Sequence, residues 1–230
     1  MKYEGAGTVE FILDKDGSFY FLEMNTRLQV EHPITEMVTG SDLVALQILV
    51  AQGEALPMKQ EEIVQTGHAI ECRVYAEDPD NNFMPSIGTI NLVGESDLLG
   101  VRLDSGYVTG NEVTVSFDPM LAKLIVWSPD RSAAIHKMGQ ALEDFPFLGL
   151  TTNRDYLKRI LLHSKFREGE TFTHFVKTYE DDLRPEVASI EEVVLSIGAY
   201  ELVGKQSKGS SDVKSVQRTP WDNLSGFRIS

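Results

Sequence analysis

The sequence predicts an α+β fold in which an antiparallel sheet is packed by helices. Three observations carry that prediction. Two apolar runs, Thr8 to Leu13 and Phe19 to Met24, flank Asp16-Gly17, and an Asp-Gly pair between such runs signals a β-hairpin. From about Gly67 short strand-like segments follow one another with Gly and Pro between them, as in an antiparallel sheet. Beyond them Asp130 to Glu143 and Asn153 to Leu162 carry apolar residues at helical spacing.

Taken in order, the hairpin comes first, and Asn25 to Pro33 after it is polar and turn-like. Thr39-Gly40-Ser41-Asp42 supplies an N-cap signal, so Asp42 to Gln52 reads as a helix ended by Gly53. The strands expected next are His68 to Tyr75, Gly88 to Val93, Val101 to Leu103 and Leu121 to Trp127. In the first of these Cys72 alternates with Ile70 and Val74 and reads as a packing residue, while Glu71 and Arg73 fall on the opposite face and make a polar contact. Ala133, Ile135, Met138 and Leu142 mark the buried side of the Asp130 helix, and Thr151 and Thr152 offer caps for the Asn153 helix. A further helix is read at Ile190 to Leu202. Lys205 to Ser211 then has the small polar composition of a linker, and the aromatic residues Trp221 and Phe227 after it call for something to pack against.

Composition narrows the function. The chain of 230 residues is 42% hydrophobic and 24% charged, the balance of a globular protein. Its formal net charge of −14 argues against a nucleic-acid surface, which needs cations to neutralise phosphates. A single cysteine, Cys72, excludes an internal disulfide framework, and no apolar run approaches the roughly 20 residues that span a bilayer. The expected setting is the cytoplasm, or the mitochondrial matrix.

The hairpin holds the first candidate site. With Asp16 and Gly17 as the two turn residues, Glu10 lies opposite Glu23 and Thr8 opposite Asn25, and Glu10, Ile12, Phe19, Phe21, Glu23 and Asn25 share one face. Like charges directly opposite each other destabilise a sheet, and a divalent cation between them removes the conflict. A loop one residue longer or shorter turns the two glutamates to opposite faces and leaves two ordinary carboxylates.

Phe21 to Pro33, with Glu23-Met24-Asn25-Thr26-Arg27-Leu28-Gln29-Val30-Glu31-His32, resembles the ATP-grasp signature of biotin carboxylases, and Ala69 to Pro79 resembles the next block of that family. The resemblance continues through Gly100-Val101-Arg102 and Phe117 to Leu124 as far as Phe175, and Thr219-Pro220-Trp221 is similar to the segment that follows biotin carboxylase in acyl-CoA carboxylase alpha subunits. It implies residues 1–60 as the C-terminal segment of an ATP-grasp domain, 61–185 as a biotin carboxylase C-terminal domain, and 186–230 as a helix and linker leading to a further domain.

The activity implied is carboxylation of carrier-bound biotin with ATP and bicarbonate. Phosphoryl transfer rests on positioning and charge neutralisation, and the resemblance gives Glu10, Glu23 and Asn25 to Mg²⁺ or Mn²⁺ at the ATP phosphates. Arg27, Gln29 and the backbone of Val30 would cradle bicarbonate, and Glu31 would be the general base. Arg102 matches the arginine that would stabilise deprotonated biotin, although a strand-end salt bridge with Asp104 also accounts for it. His32, His68, Met120 and Lys123 are read as structural. Implied partners are ATP, bicarbonate, a biotin carrier domain, a carboxyltransferase subunit and a second copy in a homodimer. The lysines and glycine-rich lid of an ATP-grasp site are not among these residues, so the chain alone is expected to be inactive. Two other readings stay open: a non-catalytic assembly module, with Trp127 and Arg131 as contact residues, and another ATP-grasp ligase.

Overall fold

Leu13 pairs with Phe19 across the first hairpin, so the loop joining β1 (Thr8–Leu13) to β2 (Phe19–Asn25) is longer than the predicted two-residue turn. In this computed structural model, which describes residues 3–94 and 98–185, Asp14 N donates to Ser18 O at 2.8 Å and Gly17 N to Asp14 O at 3.0 Å. Gly17 sits at φ +87°, the left-handed position that closes a three-residue hairpin loop. Such a loop alone would put Glu10 and Glu23 on opposite faces. A β-bulge between Glu10 and Phe11 compensates by leaving Leu22 as the extra residue, and Glu10 again lies opposite Glu23 and Thr8 opposite Asn25. Between bulge and turn the predicted face is wrong. Phe11 lies opposite Phe21 and Leu13 opposite Phe19, and Phe11 makes edge-to-face contacts with both phenylalanines.

After the hairpin comes a helix the sequence reading missed, α1 (His32–Thr39), with Pro33 in its first turn and Gly40 in the left-handed C-cap. The predicted helix follows as α2 (Leu43–Ala51), where the Asp42 side chain accepts from Ala45 N at 2.8 Å. No single helix among the described residues is long and apolar enough to cross a membrane.

The main sheet has three antiparallel strands. Met120–Ser128 is central, β3 (His68–Tyr75) lies on one side, and Val101–Ser105 on the other. The predicted strand Gly88 to Val93 is instead two short pieces: Gly88–Thr89 pairs with Glu112–Val113, and Leu92–Val93 with Phe147–Leu148.

Alternation sorts the sheet into two unlike faces. Ile70, Cys72, Leu124, Val126, Val101 and Leu103 point one way and pack on Ala134, Ile135, Met138, Ala141 and Leu142 of α3 (Arg131–Asp144), with Leu161 of α4 (Arg154–Leu162). Fully burying each such side chain is worth about 1.5–3 kcal/mol. Cys72 is buried there as predicted, and burial pushes its thiol up to about 12. Asp130 caps α3 through Ala133 N at 2.8 Å.

At α4 the predicted caps Thr151 and Thr152 are displaced by Asn153. Its side chain turns back to β3, accepting from Tyr75 N at 2.9 Å and donating to Arg73 O at 3.1 Å. The helix, linker and tail read beyond Pro185 lie outside the described residues.

Candidate active site

The second face of the main sheet is charged where the first is apolar. Lys123 on the central strand lies opposite Arg73 of β3 and opposite Asp104 of the outer strand, while Ile125 lies between Glu71 and Arg102. Cross-strand partners share a face, so two carboxylates and three cations form a row there. The loop 25–31 and α1 lie over this row.

Arg73 meets that loop directly. Its Nη2 donates to the Glu31 carboxylate at 2.7 Å, joining residues 42 apart in sequence. Both side chains are partly open to solvent, so reactants have access to them. Beneath them Glu71 is almost wholly buried. Both its carboxylate oxygens are without a hydrogen-bond partner among the described residues, and Arg73 Nε is 3.8 Å away. Burial pushes the Glu71 carboxyl above its ordinary range, with the charges of Lys123 and Arg73 opposing. The sequence reading gave Arg73 only a polar contact with Glu71. What it missed was the fold of the loop, because nothing local in either segment brings Glu31 to β3.

Arg27 Nη1 donates to Gln29 Oε1 at 2.9 Å, so two of the predicted anion-cradle residues are brought together. Next in the loop, Val30 presents its carbonyl to Lys123 Nζ at 3.0 Å, and His32 Nδ1 lies 2.7 Å from Gln29 O.

Arg102 is engaged elsewhere. Its Nε and Nη2 donate to the two oxygens of Asp104 at 2.7 and 2.9 Å, and Nη1 donates to Glu36 Oε2 at 2.6 Å. Glu36 is itself buried, and its other oxygen accepts from Leu43 N at the start of α2 at 2.7 Å. These bonds, with Asp104 foremost, raise the Arg102 pKa. Burial pushes the Asp104 carboxyl up, but Arg102 and Lys123 outweigh it and hold the group below its usual range.

In the hairpin, Asn25 Nδ2 donates to Glu10 Oε1 at 2.6 Å, and Glu23 lies opposite Glu10. Among the described residues no ion pair neutralises either glutamate. Two unneutralised carboxylates are hard oxygen donors, which fits Mg²⁺ or Mn²⁺, and the Asn25 amide would add its carbonyl oxygen on turning over from Glu10.

The chain is similar to known proteins. Residues 71–178 match the biotin carboxylase C-terminal domain, and residues 1–59 match the ATP-binding domain of the carbamoyl-phosphate synthase L chain. The chain is similar to biotin carboxylases along most of its length. It is 45% identical over its whole length to the mitochondrial methylcrotonoyl-CoA carboxylase subunit alpha of Rattus norvegicus, of which it covers 33%. Over 77% of its length it is 49% identical to the biotin carboxylase of Nostoc sp., covering 40% of that protein. The chain thus spans about a third of the curated relatives it matches.

Among solved structures it resembles the biotin carboxylase domain dimer of Hydrogenobacter thermophilus 2-oxoglutarate carboxylase in complex with MgADP, ADP and bicarbonate. The TM-score is 0.76 at 43% identity, covering 80% of this chain and 40% of that one. The complete pyruvate carboxylase of Rhizobium etli matches with a TM-score of 0.76 at 40% identity, covering 80% of this chain and 19% of that one. A biotin carboxylase fold therefore holds the loop 25–31 over β3.

Proposed function

We propose that this chain supplies the bicarbonate, metal and biotin end of a biotin carboxylase site, in a protein that uses ATP and bicarbonate to carboxylate biotin on a carrier domain. The observation that carries the reading is the Glu31–Arg73 pair at 2.7 Å, with Arg27 and Gln29 on the same loop. Arg27 is a forked donor suited to a planar anion, and Gln29 and the Val30 backbone add polar groups beside it. Glu31 then accepts the bicarbonate proton, which a carboxylate next to the anion does without moving.

Arg73 takes the role that sequence resemblance alone gave to Arg102. A guanidinium at the base can stabilise negative charge developing on the biotin ureido oxygen, and Arg73 has donors beyond the one on Glu31. Arg102 already donates to Asp104 and Glu36 from all three nitrogens, which leaves it one further N–H on each Nη. Glu10, Glu23 and Asn25 would hold Mg²⁺ or Mn²⁺, which when bound neutralises phosphate charge. The hairpin's own part is to keep the two carboxylates opposed.

The test is bicarbonate-dependent ADP release and carboxylation of free biotin by the complete carboxylase subunit that carries this sequence. Glu31→Gln and Arg73→Met should each lower biotin carboxylation by about 10²-fold or more. Full activity in both variants would refute the assignment.

The partners proposed for that subunit are ATP, bicarbonate, a biotin carrier domain and a carboxyltransferase. The compartment proposed is the cytoplasm or mitochondrial matrix, since methylcrotonoyl-CoA carboxylase relatives are mitochondrial. A homodimer is the proposed assembly, because the Hydrogenobacter domain is a dimer at 43% identity. Trp127 and Arg131, the contact residues read from the sequence, are also engaged within the chain. The Trp127 indole donates to Thr66 O at 3.0 Å and lies over Gly67, whose φ of +67° and closeness to the ring leave no room for a Cβ. Arg131 donates to Phe166 O at 2.5 Å.

A further inference from the structure

Two bonds tie the loop 25–31 to the main sheet, and they are neighbours in both partners. Glu31 is held by Arg73, and Val30 is held through its carbonyl by Lys123. Lys123 and Arg73 are cross-strand partners on adjacent strands. Consecutive loop residues are therefore bound by two cations standing opposite each other in the sheet.

We infer that Lys123 is a positioning residue for the bicarbonate cradle: its ammonium fixes the peptide between Val30 and Glu31, and with it the direction in which Glu31 leaves the loop toward Arg73 and, one peptide back, the Gln29–Val30 segment. The inference rests on the reading of this loop as the bicarbonate site.

Three features favour positioning over surface solvation. The Lys123 side chain is mostly buried, at 13% exposure, so its charge is committed to the interior. Besides Val30 O at 3.0 Å its polar contact among the described residues is Asp104 Oδ2 at 3.4 Å, so one ammonium bridges the loop and the outer strand. Asp104 is in turn clamped by both Arg102 donors, which steadies the far side of the bridge. Finally, the Val30 carbonyl and amide flank the same short turn that donates Gln29 and Glu31. Rotating one peptide there swings the anion-facing groups on both sides. A cation on the outer face of the turn also favours an anion on its inner face.

Hydrogen–deuterium exchange of the 230-residue chain tests this, with and without added bicarbonate. Losing a charge-assisted bond to a carbonyl should raise exchange of the His32 and Ile34 amides, which donate to Gln29 O and Glu31 O, about tenfold in Lys123→Met. The amides of β3 and the central strand should keep their rates, and Lys123→Arg should restore slow exchange in the loop. Bicarbonate should protect the loop in the wild type and need about tenfold higher concentration to do so in Lys123→Met. An unchanged loop rate in Lys123→Met would overturn the inference. So would a uniform rise through the strands, which would mark Lys123 as a stability residue only, or undiminished bicarbonate protection in that variant. Bicarbonate that protects nothing in the wild type would instead remove the functional reading of the loop, while the rates without bicarbonate still judge the anchoring role of Lys123.

Discussion

Arg73 and Arg102 lie on the same face of one sheet, on the two strands that flank Met120–Ser128, yet they serve different partners. Arg73 reaches Glu31 at 2.7 Å, whereas Arg102, exposed to a similar degree, is held between Asp104 and the buried Glu36. The difference lies in what covers each end of the sheet: a loop over Arg73 and a helix over Arg102.

Substituting the two arginines should therefore have different consequences. In the complete carboxylase subunit Arg73→Met is expected to lower the rate of biotin carboxylation about 10²–10³-fold with little change in melting temperature, as for loss of a preorganised donor. Arg102→Met is expected to lower the melting temperature first. Steady-state kinetics paired with calorimetry on both variants separates the roles, and the reverse pattern would return the catalytic assignment to Arg102.

Glu36 is predicted to be the costliest charge to remove. Its carboxylate binds Arg102 at 2.6 Å and the first amide of α2 at 2.7 Å, and its side chain is 6% exposed. Glu36→Ala leaves both donors unsatisfied and should cost about 2–4 kcal/mol in urea unfolding. Glu36→Gln, which can still accept from Leu43 N, should cost less.

Asp104 and Glu71 should give pH dependences of opposite sign. The Asp104 carboxyl is held below its usual range, so its contribution is present above the unfolded pKa of about 4 and is lost as pH falls through the lower folded value. Glu71 is raised by burial, so its contribution is full below its unfolded pKa and is lost as pH rises through the higher folded value. Melting temperatures across pH 3 to 8 (a range of roughly ordinary carboxylate titration) should show Asp104→Asn flattening the acid limb. Glu71→Gln should raise stability at neutral pH. If both variants shift the same limb, the assignment of these two groups is wrong.

The opposed pair Glu10 and Glu23 makes a conditional prediction. Without divalent cation Glu10→Gln should stabilise the hairpin by roughly 0.2–1 kcal/mol, by removing one of two facing like charges. In the complete subunit with MgATP the same substitution should raise the Mg²⁺ concentration required for turnover. A variant that is both less stable without metal and unaltered in its Mg²⁺ requirement would show that the pair does not hold the ion.

The hairpin also leaves large apolar side chains uncovered. Leu13 is 71% exposed, Phe19 68% and Phe21 63%. A surface of this kind binds hydrophobic dyes and associates with itself. Dye binding and light scattering by the 230-residue chain should therefore be high and should fall in a Phe19→Lys, Phe21→Lys variant.

The sequence by itself determined the α+β class, the central strands, α2, α3 and α4 to within a few residues, and the buried role of Cys72. These follow from periodicity and capping, which are local. It also placed Glu10 against Glu23, but through two errors that cancel, since the three-residue loop and the bulge at Leu22 each shift the register by one. Neither shift is written in the apolar pattern, because this hairpin is apolar on both faces and alternation cannot fix its register.

Only the tertiary structure decided which arginine meets Glu31. Arg73 and Arg102 both look like strand arginines beside an acidic residue, Glu71 in one case and Asp104 in the other. A charge finds its partner through whichever segment crosses above it, here 42 residues away for Arg73 and 66 for Arg102. That depends on how the loop 25–31 and α1 lie across the sheet, a property of packing that no short stretch of sequence encodes.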